Sequence, residues 1–363
     1  MKKIKFLAVA LAAFTMFSCT NDEVENLGNN VPGEQAVLTI KLKGDGDNQA
    51  QSRVAGPATD TEDAVINNYL VFLFREGGAL DCAPHYSASN ATATISNGTT
   101  AAKKAYVVAN TGALANGPFA TVKTEADLLA VEGSLMDNTN NASTQTKTNL
   151  WMSGAEDVTF NGTTGTTTVT LSYVAAKIQL IVKDNRTGMS GGTIQIEDKE
   201  VVLLFAGQSG KFFGTQKSVQ THFYTGDKSY NTPFDTNVTI STALSDAVTV
   251  PFAPNAGNTV FNHFYTFGND GTTQPTILAI KSTKTVNSAA STIYYPVHFT
   301  TADAGHTIEP GKSYTVTVTL NGDVEAGAGG GTTDPEAPVI SSSIEVTVTA
   351  AQWVTQPVDK EFN

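Results

Sequence analysis

Charge is scarce in this chain. Charged residues make up 15% of its 363 residues, against about 25% in an average soluble protein. What charge there is runs acidic, with 34 Asp and Glu against 22 Lys and Arg and a formal net charge of −12. Nucleic acid is excluded as a partner, because phosphate contacts need clustered Lys and Arg on the folded surface and no such cluster is present. Cysteine is almost absent. Cys19 and Cys82 are the two, and Cys82, left alone in the body of the chain, has no partner for an intrachain disulfide or a Cys/His metal site. It reads as a small buried residue in a turn. The five histidines, His85, His222, His263, His298 and His306, are scattered, with no HExxH and no Cys-x-x-Cys, so neither a metal nor a cofactor is expected.

Catalytic patterns are missing as well. Gly207-Gln208-Ser209-Gly210 is followed by Lys211 where a hydrolase nucleophile elbow needs glycine, and reads as a turn between strands. Asp45-Gly46-Asp47-Asn48 begins like a calcium loop, but its glycine comes too early and no Glu follows at the required spacing. Glu197 and Asp198 are adjacent, so a strand would put them on opposite faces, where they cannot act as an acid/base pair. The chain is therefore not expected to be an enzyme. Trp151 and Trp353 are the only tryptophans. Two are few for a sugar-stacking surface, and each reads as core.

One long apolar run exists, and it is at the start. Lys2, Lys3 and Lys5 precede Phe6 to Phe17, a stretch too short to span a bilayer and organised like a signal peptide. It ends in Met16-Phe17-Ser18-Cys19, which resembles the lipobox of bacterial lipoproteins with Cys19 as the lipidated (palmitate-bearing) residue. The acidic run Thr20 to Glu25 resembles the signal that sends Bacteroidetes lipoproteins to the outer face of the outer membrane.

What the chain has in quantity is alternation. Leu38, Ile40 and Leu42 point one way and Val37, Thr39, Lys41 and Lys43 the other, a half-buried strand. It is followed by a polar loop that ends at Arg53. Ile66 to Phe74 is apolar on both faces, as in a strand covered on both sides. Thr92–Ser96, Lys103–Asn110, Leu150–Gly154, Val158–Phe160 and Thr166–Tyr173 are further strands. The spacing predicts one helix over Thr124–Met136, with Thr124 and Asp127 at capping-box distance and Leu128, Val131 and Leu135 on one face. From Ala175 the strand pattern restarts: Ala176–Val182, Gly192–Ile196, Val201–Phe205, Val238–Ile240, Ile277–Ile280, Ile293–Phe299 and Tyr314–Leu320. Short strands separated by Gly, Asn, Asp and Pro turns indicate β-sandwiches. Residues 321–338 are rich in glycine and read as a flexible linker. Beyond it Ile344, Val346 and Val348 alternate with Ser343, Glu345, Thr347 and Thr349, a strand free to pair away from its own domain.

Taken in order, the signal peptide, the strand ending in a loop and Arg53, YLVFLF (69–74), YVVAN (106–110), WMSG (151–154), AAKIQLIV (175–182), HFYTFGN (263–269), EPGKSYTVTVTL (309–320) and IEVTVTAAQWV (344–354) resemble the fimbrillins. These are the pilin subunits of type V fimbriae in Bacteroidetes, FimA among them. The resemblance implies an all-β chain with two transthyretin-like β-sandwich domains and a short helix in the N-terminal one. The expected organisation is a signal peptide (1–19), a propeptide carrying a removable strand (20–53), an N-terminal sandwich (54–174), a C-terminal sandwich (175–322), the linker (323–338) and a C-terminal donor strand (339–363). It implies export as a lipoprotein and a cut by a trypsin-like protease between Arg53 and Val54. The removable strand carries Leu38, Ile40 and Leu42, and the donor strand, with Ile344, Val346, Val348 and Trp353, then fills the vacated groove of a neighbour. A chain with both a cut site and a donor reads as a stalk subunit. The implied partners are other copies joined head-to-tail, tip and anchor pilins, the protease, and host or bacterial surface receptors in adhesion and biofilm. The implied location is the outer-membrane surface for the lipidated precursor and an extracellular fimbrium for the mature subunit.

The side chains support that reading separately. Leu38/Ile40/Leu42 and Ile344/Val346/Val348 are matching triplets, and three such side chains contribute roughly 5–9 kcal/mol when fully buried. Loss of one triplet also bares a sheet edge, which strand addition would cover again. The alternative is a glycan-binding surface lipoprotein of a carbohydrate-uptake system, which would keep its first strand and its lipid and should display several coplanar aromatics.

Overall fold

The computed structural model describes residues 33–44, 66–88, 92–134, 150–188, 193–213, 223–225, 228–229, 244–249, 252, 257–261, 263–324, 331–337 and 344–352. The strands of the first half are β1 (Gln35–Gly44), β2 (Tyr69–Arg75), β3 (His85–Ser87), β4 (Ala93–Thr99), β5 (Ala102–Ala109), β6 (Glu132–Ser134), β7 (Met152–Asp157), β8 (Phe160–Asn161) and β9 (Thr164–Tyr173). Those of the second half are β10 (Ala176–Asp184), β11 (Ile194–Leu204), β12 (Ala206–Gly207), β13 (Ser209–Lys211), β14 (Phe223–Thr225), β15 (Lys228–Ser229), β16 (Leu244–Ala247), β17 (Thr259–Val260), β18 (Phe264–Thr266), β19 (Ile277–Val286), β20 (Ala289–His298), β21 (Lys312–Leu320) and β22 (Ile344–Gln352). One helix, α1 (Glu125–Ala130), and a 3-10 turn at Leu114–Asn116 complete the described elements. The architecture is all-β, in layered sheets.

In the first half the strand order is β3-β2-β5-β7-β9-β1-β4, with β8 on β9. β7 and β9 pair only at Met152–Tyr173 and Ser153–Ser172. The strip β9-β1-β4 thus packs over β2 and β5, and Leu38, Ile40, Leu42, Ile95, Val169 and Leu171 share a core with Tyr69, Val71, Leu73 and Val107. The double-sided apolarity of β2 has a direct cause. Its other face, Leu70, Phe72 and Phe74, enters a second core that continues into the second half of the chain.

The second half has sheets of order β17-β10-β21-β22, with β18 also on β10, and β16-β11-β19-β20. Ile178, Leu180 and Val182 of β10 and Val316, Val318 and Leu320 of β21 meet Val201, Leu203, Leu278, Ile280 and Tyr295 between these sheets. The two halves close in the same way. β1 lies parallel to β9, and β10 parallel to β21, so the first strand of each half runs alongside a late one, β9 being the last of the first half and β21 the strand before β22 in the second.

The halves join through aromatics. Tyr106 packs edge-on to Phe213, Phe119 edge-on to Phe212, and Trp151 lies 4.8 Å from Phe212 and 6.3 Å from Phe267 between ring centroids. A short antiparallel ladder between β6 and β13 puts Gly133 opposite Gly210. A Cβ on Gly133 would come within 2.0 Å of the Trp151 ring, and one on Gly210 within 2.6 Å of Phe267, so both glycines are required by close approach.

That ladder also corrects the expected helix. The capping box at Thr124 and Asp127 is present, but the helix ends at Ala130 and Glu132–Ser134 become strand β6. Gly133 is the residue that lets the chain pass beneath Trp151, and pairing with β13 supersedes the helical continuation. Leu128 is buried as expected. Leu135 and Met136 lie outside the described residues, as does Val238–Ile240.

Candidate functional site

The first and last described strands carry the features that a subunit-to-subunit junction would use. β1 is flanked on both sides. It runs parallel to β9 from Val37 to Gly44 and antiparallel to β4, with Leu38 opposite Ile95, Thr39 opposite Thr94 and Ile40 opposite Ala93. Leu38 is 1%, Ile40 0% and Leu42 7% exposed, and Ala36 on the same face is also buried. The opposite face carries Val37 and Lys41 in solvent. The alternation in the sequence is thus the alternation in the sheet. Among the described residues β4 has no strand partner except β1. Withdrawal of β1 would leave β4 and β9 facing each other across a gap one strand wide.

β22 is different in kind. Among the described residues it sits at a sheet edge with β21 as its one strand neighbour, antiparallel, Ile344 opposite Leu320 and Val348 opposite Val316. Ile344 is buried, Val346, Val348 and Ala350 are half-buried against the second core, and Glu345, Thr347 and Thr349 are exposed. The sequence shows a strand free to pair elsewhere; in this structure it pairs with its own chain.

The segment before β22 is docked where glycine content suggested a free linker. Tyr294 and Thr332 exchange backbone hydrogen bonds, Tyr294 N–H to Thr332 C=O at 2.7 Å and the reverse at 2.9 Å. His298, at the end of β20, lies with Nε2 3.3 Å from the Pro335 carbonyl and Nδ1 3.3 Å from Asp303 Oδ2. The hydrogen bond that His298 donates to Asp303 raises the His298 pKa; burial opposes the rise, and the Pro335 carbonyl and the charges of Asp303 and Glu336 add to it. Asp303 is correspondingly lowered, first by that same bond. Gln274, Pro275, Ile277, Thr300 and Glu336 line a cleft beside His298. Residues 331–337 therefore tie the strand's tether to β20.

Cys19, Arg53, Val54, Trp353 and the Asp45–Asn48 loop lie outside the described residues. Trp151 is 5% exposed and packed between Phe212 and Phe267, so it is unavailable to a sugar. Cys82 is half-buried in a bend, its thiol pushed up to about 12 by burial and then by the Asp81 charge. Glu197 is exposed and Asp198 buried, on opposite faces of β11. Gln208 separates the short strands β12 and β13.

Two polar clusters escaped the sequence reading. Arg186 is wholly buried and holds Asp184 through Nε and Nη2 at 2.9 Å each, Asp198 through Nη2 at 2.7 Å and the Tyr295 hydroxyl at 3.2 Å. Ser282 donates to Asp198 at 2.6 Å. Burial works against the guanidinium charge, but the two carboxylates outweigh it and hold the pKa above its ordinary value. The second cluster is Asp81, whose side chain is buried. It accepts from Arg75 Nε at 2.8 Å, from the Thr99 amide at 2.6 Å and from the Thr99 hydroxyl at 2.5 Å. Neither cluster has a spacing in sequence that marks it.

Comparison with known proteins then places the chain. Residues 36–200 match the family described as major fimbrial subunit protein (FimA), and residues 175–353 match the FimA-like major fimbrial subunit protein, C-terminal domain. A crystal structure of a candidate cell adhesion protein from Bacteroides eggerthii is 76% identical, spanning 92% of this chain and 100% of that one, with a TM-score of 0.80. A candidate cell adhesion protein from Parabacteroides distasonis shares the fold at 18% identity and a TM-score of 0.57, over 91% of this chain and 99% of that one. A search of curated proteins gave no match. With two overlapping family matches that together run from 36 to 353 and a relative three-quarters identical over nearly its whole length, the chain belongs to the family of FimA-like major fimbrial subunit proteins.

Proposed function

We propose that this fimbrial subunit is exported as a lipoprotein anchored at Cys19, is cut between Arg53 and Val54, and polymerises when the C-terminal strand of one subunit enters the groove that β1 has left in the next. The observation that carries this reading is the position of β1. It is the first described strand, it fills the N-terminal core with Leu38, Ile40 and Leu42, and among the described residues it alone bridges β9 and β4. A cut at Arg53 would sever it from every other strand while leaving both walls in place. β22 supports the complementary half. Among the described residues it is an edge strand with a single neighbour, and its apolar face is incompletely buried at home. A strand that moved from that edge into a two-sided slot would gain a second hydrogen-bonded ladder and bury its valines more fully. The contact is head-to-tail and does not close on itself, so it grows a filament. Possession of both a slot and a donor fits a stalk position, with tip and anchor pilins at the ends and adhesion and biofilm as the use.

The glycan-binding alternative loses its best residue with Trp151 in the core. The test is Arg53→Ala in the native host. The expected product is full-length lipidated subunit with no filaments on electron micrographs; filaments of normal length would overturn the reading.

A further inference from the structure

The slot has a weakness that the strand directions expose. β4 is antiparallel to β1 and β9 is parallel to it, so β4 and β9 are antiparallel to each other. Once β1 is gone, each presents a bare row of N–H and C=O groups to the other in a pairing-competent direction. A shift of β4 by one strand spacing, about 4.8 Å, would let them pair directly and seal the groove before a donor arrived.

Asp81 stands in the way of that shift. Its backbone amide is bonded to the Leu73 carbonyl at 2.7 Å, which fixes it to β2, on the sheet layer opposite β4. Its carboxylate takes both the amide and the hydroxyl of Thr99, the last residue of β4, and Arg75 of β2 neutralises it from the other side. None of these bonds involves β1. The other polar ties near this end, Gln35 Nε2 to the Ser96 carbonyl and the Glu34–Thr100 pair, come from the β1 segment and would leave with it. β4 is also kinked by an extra residue between Ile95 and Gly98, opposite Ala36 and Leu38, which spoils its register for a straight ladder.

We propose that Asp81 is a positioning residue that holds β4 away from β9 and keeps the acceptor groove open between loss of β1 and entry of the donor. This rests on the strand-exchange reading above.

The test uses a disulfide reporter in the full chain. Thr94 and Thr166 are both exposed and both lie opposite Thr39, one on each wall. With β1 between them they are two strand spacings apart, too far for a disulfide; with the groove sealed they would be cross-strand neighbours. In a Cys82→Ser background, Thr94→Cys/Thr166→Cys is combined with native Asp81, with Asp81→Ala, or with the milder Thr99→Val should Asp81→Ala fail to fold. Each is cut at Arg53 and mildly oxidised, and the assembly rate of the matching cysteine-free subunits is followed in parallel. The expected result is that native Asp81 subunits stay reduced and assemble, while the Asp81 or Thr99 variants cross-link after cutting but not before, and assemble at least tenfold more slowly. Variants that stay reduced and assemble at the native rate overturn the clamp alone. Native subunits that are cut, shed β1 and still do not assemble overturn the strand-exchange reading, and the clamp with it.

Discussion

Arg186 shows what single residues contribute to this molecule. It sits where Asp184 of β10 and Asp198 of β11 converge, and it joins the two sheets of the second half through charges with no access to water. Such a network gives little net stability over an apolar filling, but breaking it is costly because the partners stay buried and charged. Arg186→Met should therefore cost about 3–5 kcal/mol in urea unfolding, and a loss below about 1 kcal/mol would mean that the carboxylates find other partners. His298 acts at the tether. Its pKa is raised from 6.5, so its contribution is fully present below 6.5 and fades as pH rises through the folded value. Asp303 is lowered from 3.8, so its share is present above 3.8 and fades as pH falls through its folded value. The docked 331–337 segment should accordingly be held best at mildly acid pH. The difference in urea midpoint between wild type and His298→Gln should be larger at pH 5.5 than at pH 8.5; equal differences would remove His298 from that role.

Elements were legible in the sequence to the extent that side-chain alternation set them. β1, β9, β21 and β22 lie where the period of two puts them, and β2, β5 and β10 where their apolar runs do, because each has at least one face in a core. What the pattern hid were the joins. Ile277–Ile280 and Ile293–Phe299 look like separate strands, yet β19 and β20 form one hairpin through Asn287-Ser288, both at positive φ. That is a two-residue turn without the glycine that usually signals it. Gly192–Ile196 and Val201–Phe205 likewise merge into β11 across a bulge at Asp198/Glu200, and that bulge lies at the strand position that supplies the carboxylate to Arg186. Sequence periodicity over-extends the helix because the pattern at Val131 and Leu135 is silent about β13, some eighty residues on. The candidate site was half legible. Its apolar triplets can be read directly, whereas the Asp81–Thr99 clamp and the His298 contact to Pro335 depend on residues far apart in sequence or in featureless loops.

At the scale of the whole molecule the two halves are bound by an aromatic seam and a glycine pair, and in each the first strand lies parallel to a late one, β9 for β1 and β21 for β10. The chain is a fimbrial structural subunit at the cell surface, with a strand set into the first core near one end and an edge strand on β21 near the other. The central claim is that the neighbour's C-terminal strand replaces β1 in that core. A photoreactive benzoyl-phenylalanine at Thr168, on the exposed face of β9 opposite Lys41, reports the occupant directly. In assembled filaments, irradiation followed by peptide mass spectrometry should join Thr168 to a peptide from 339–363 of another subunit. A cross-link to the 36–43 peptide of β1 would contradict the claim, because the first strand would then still be in place in the polymer.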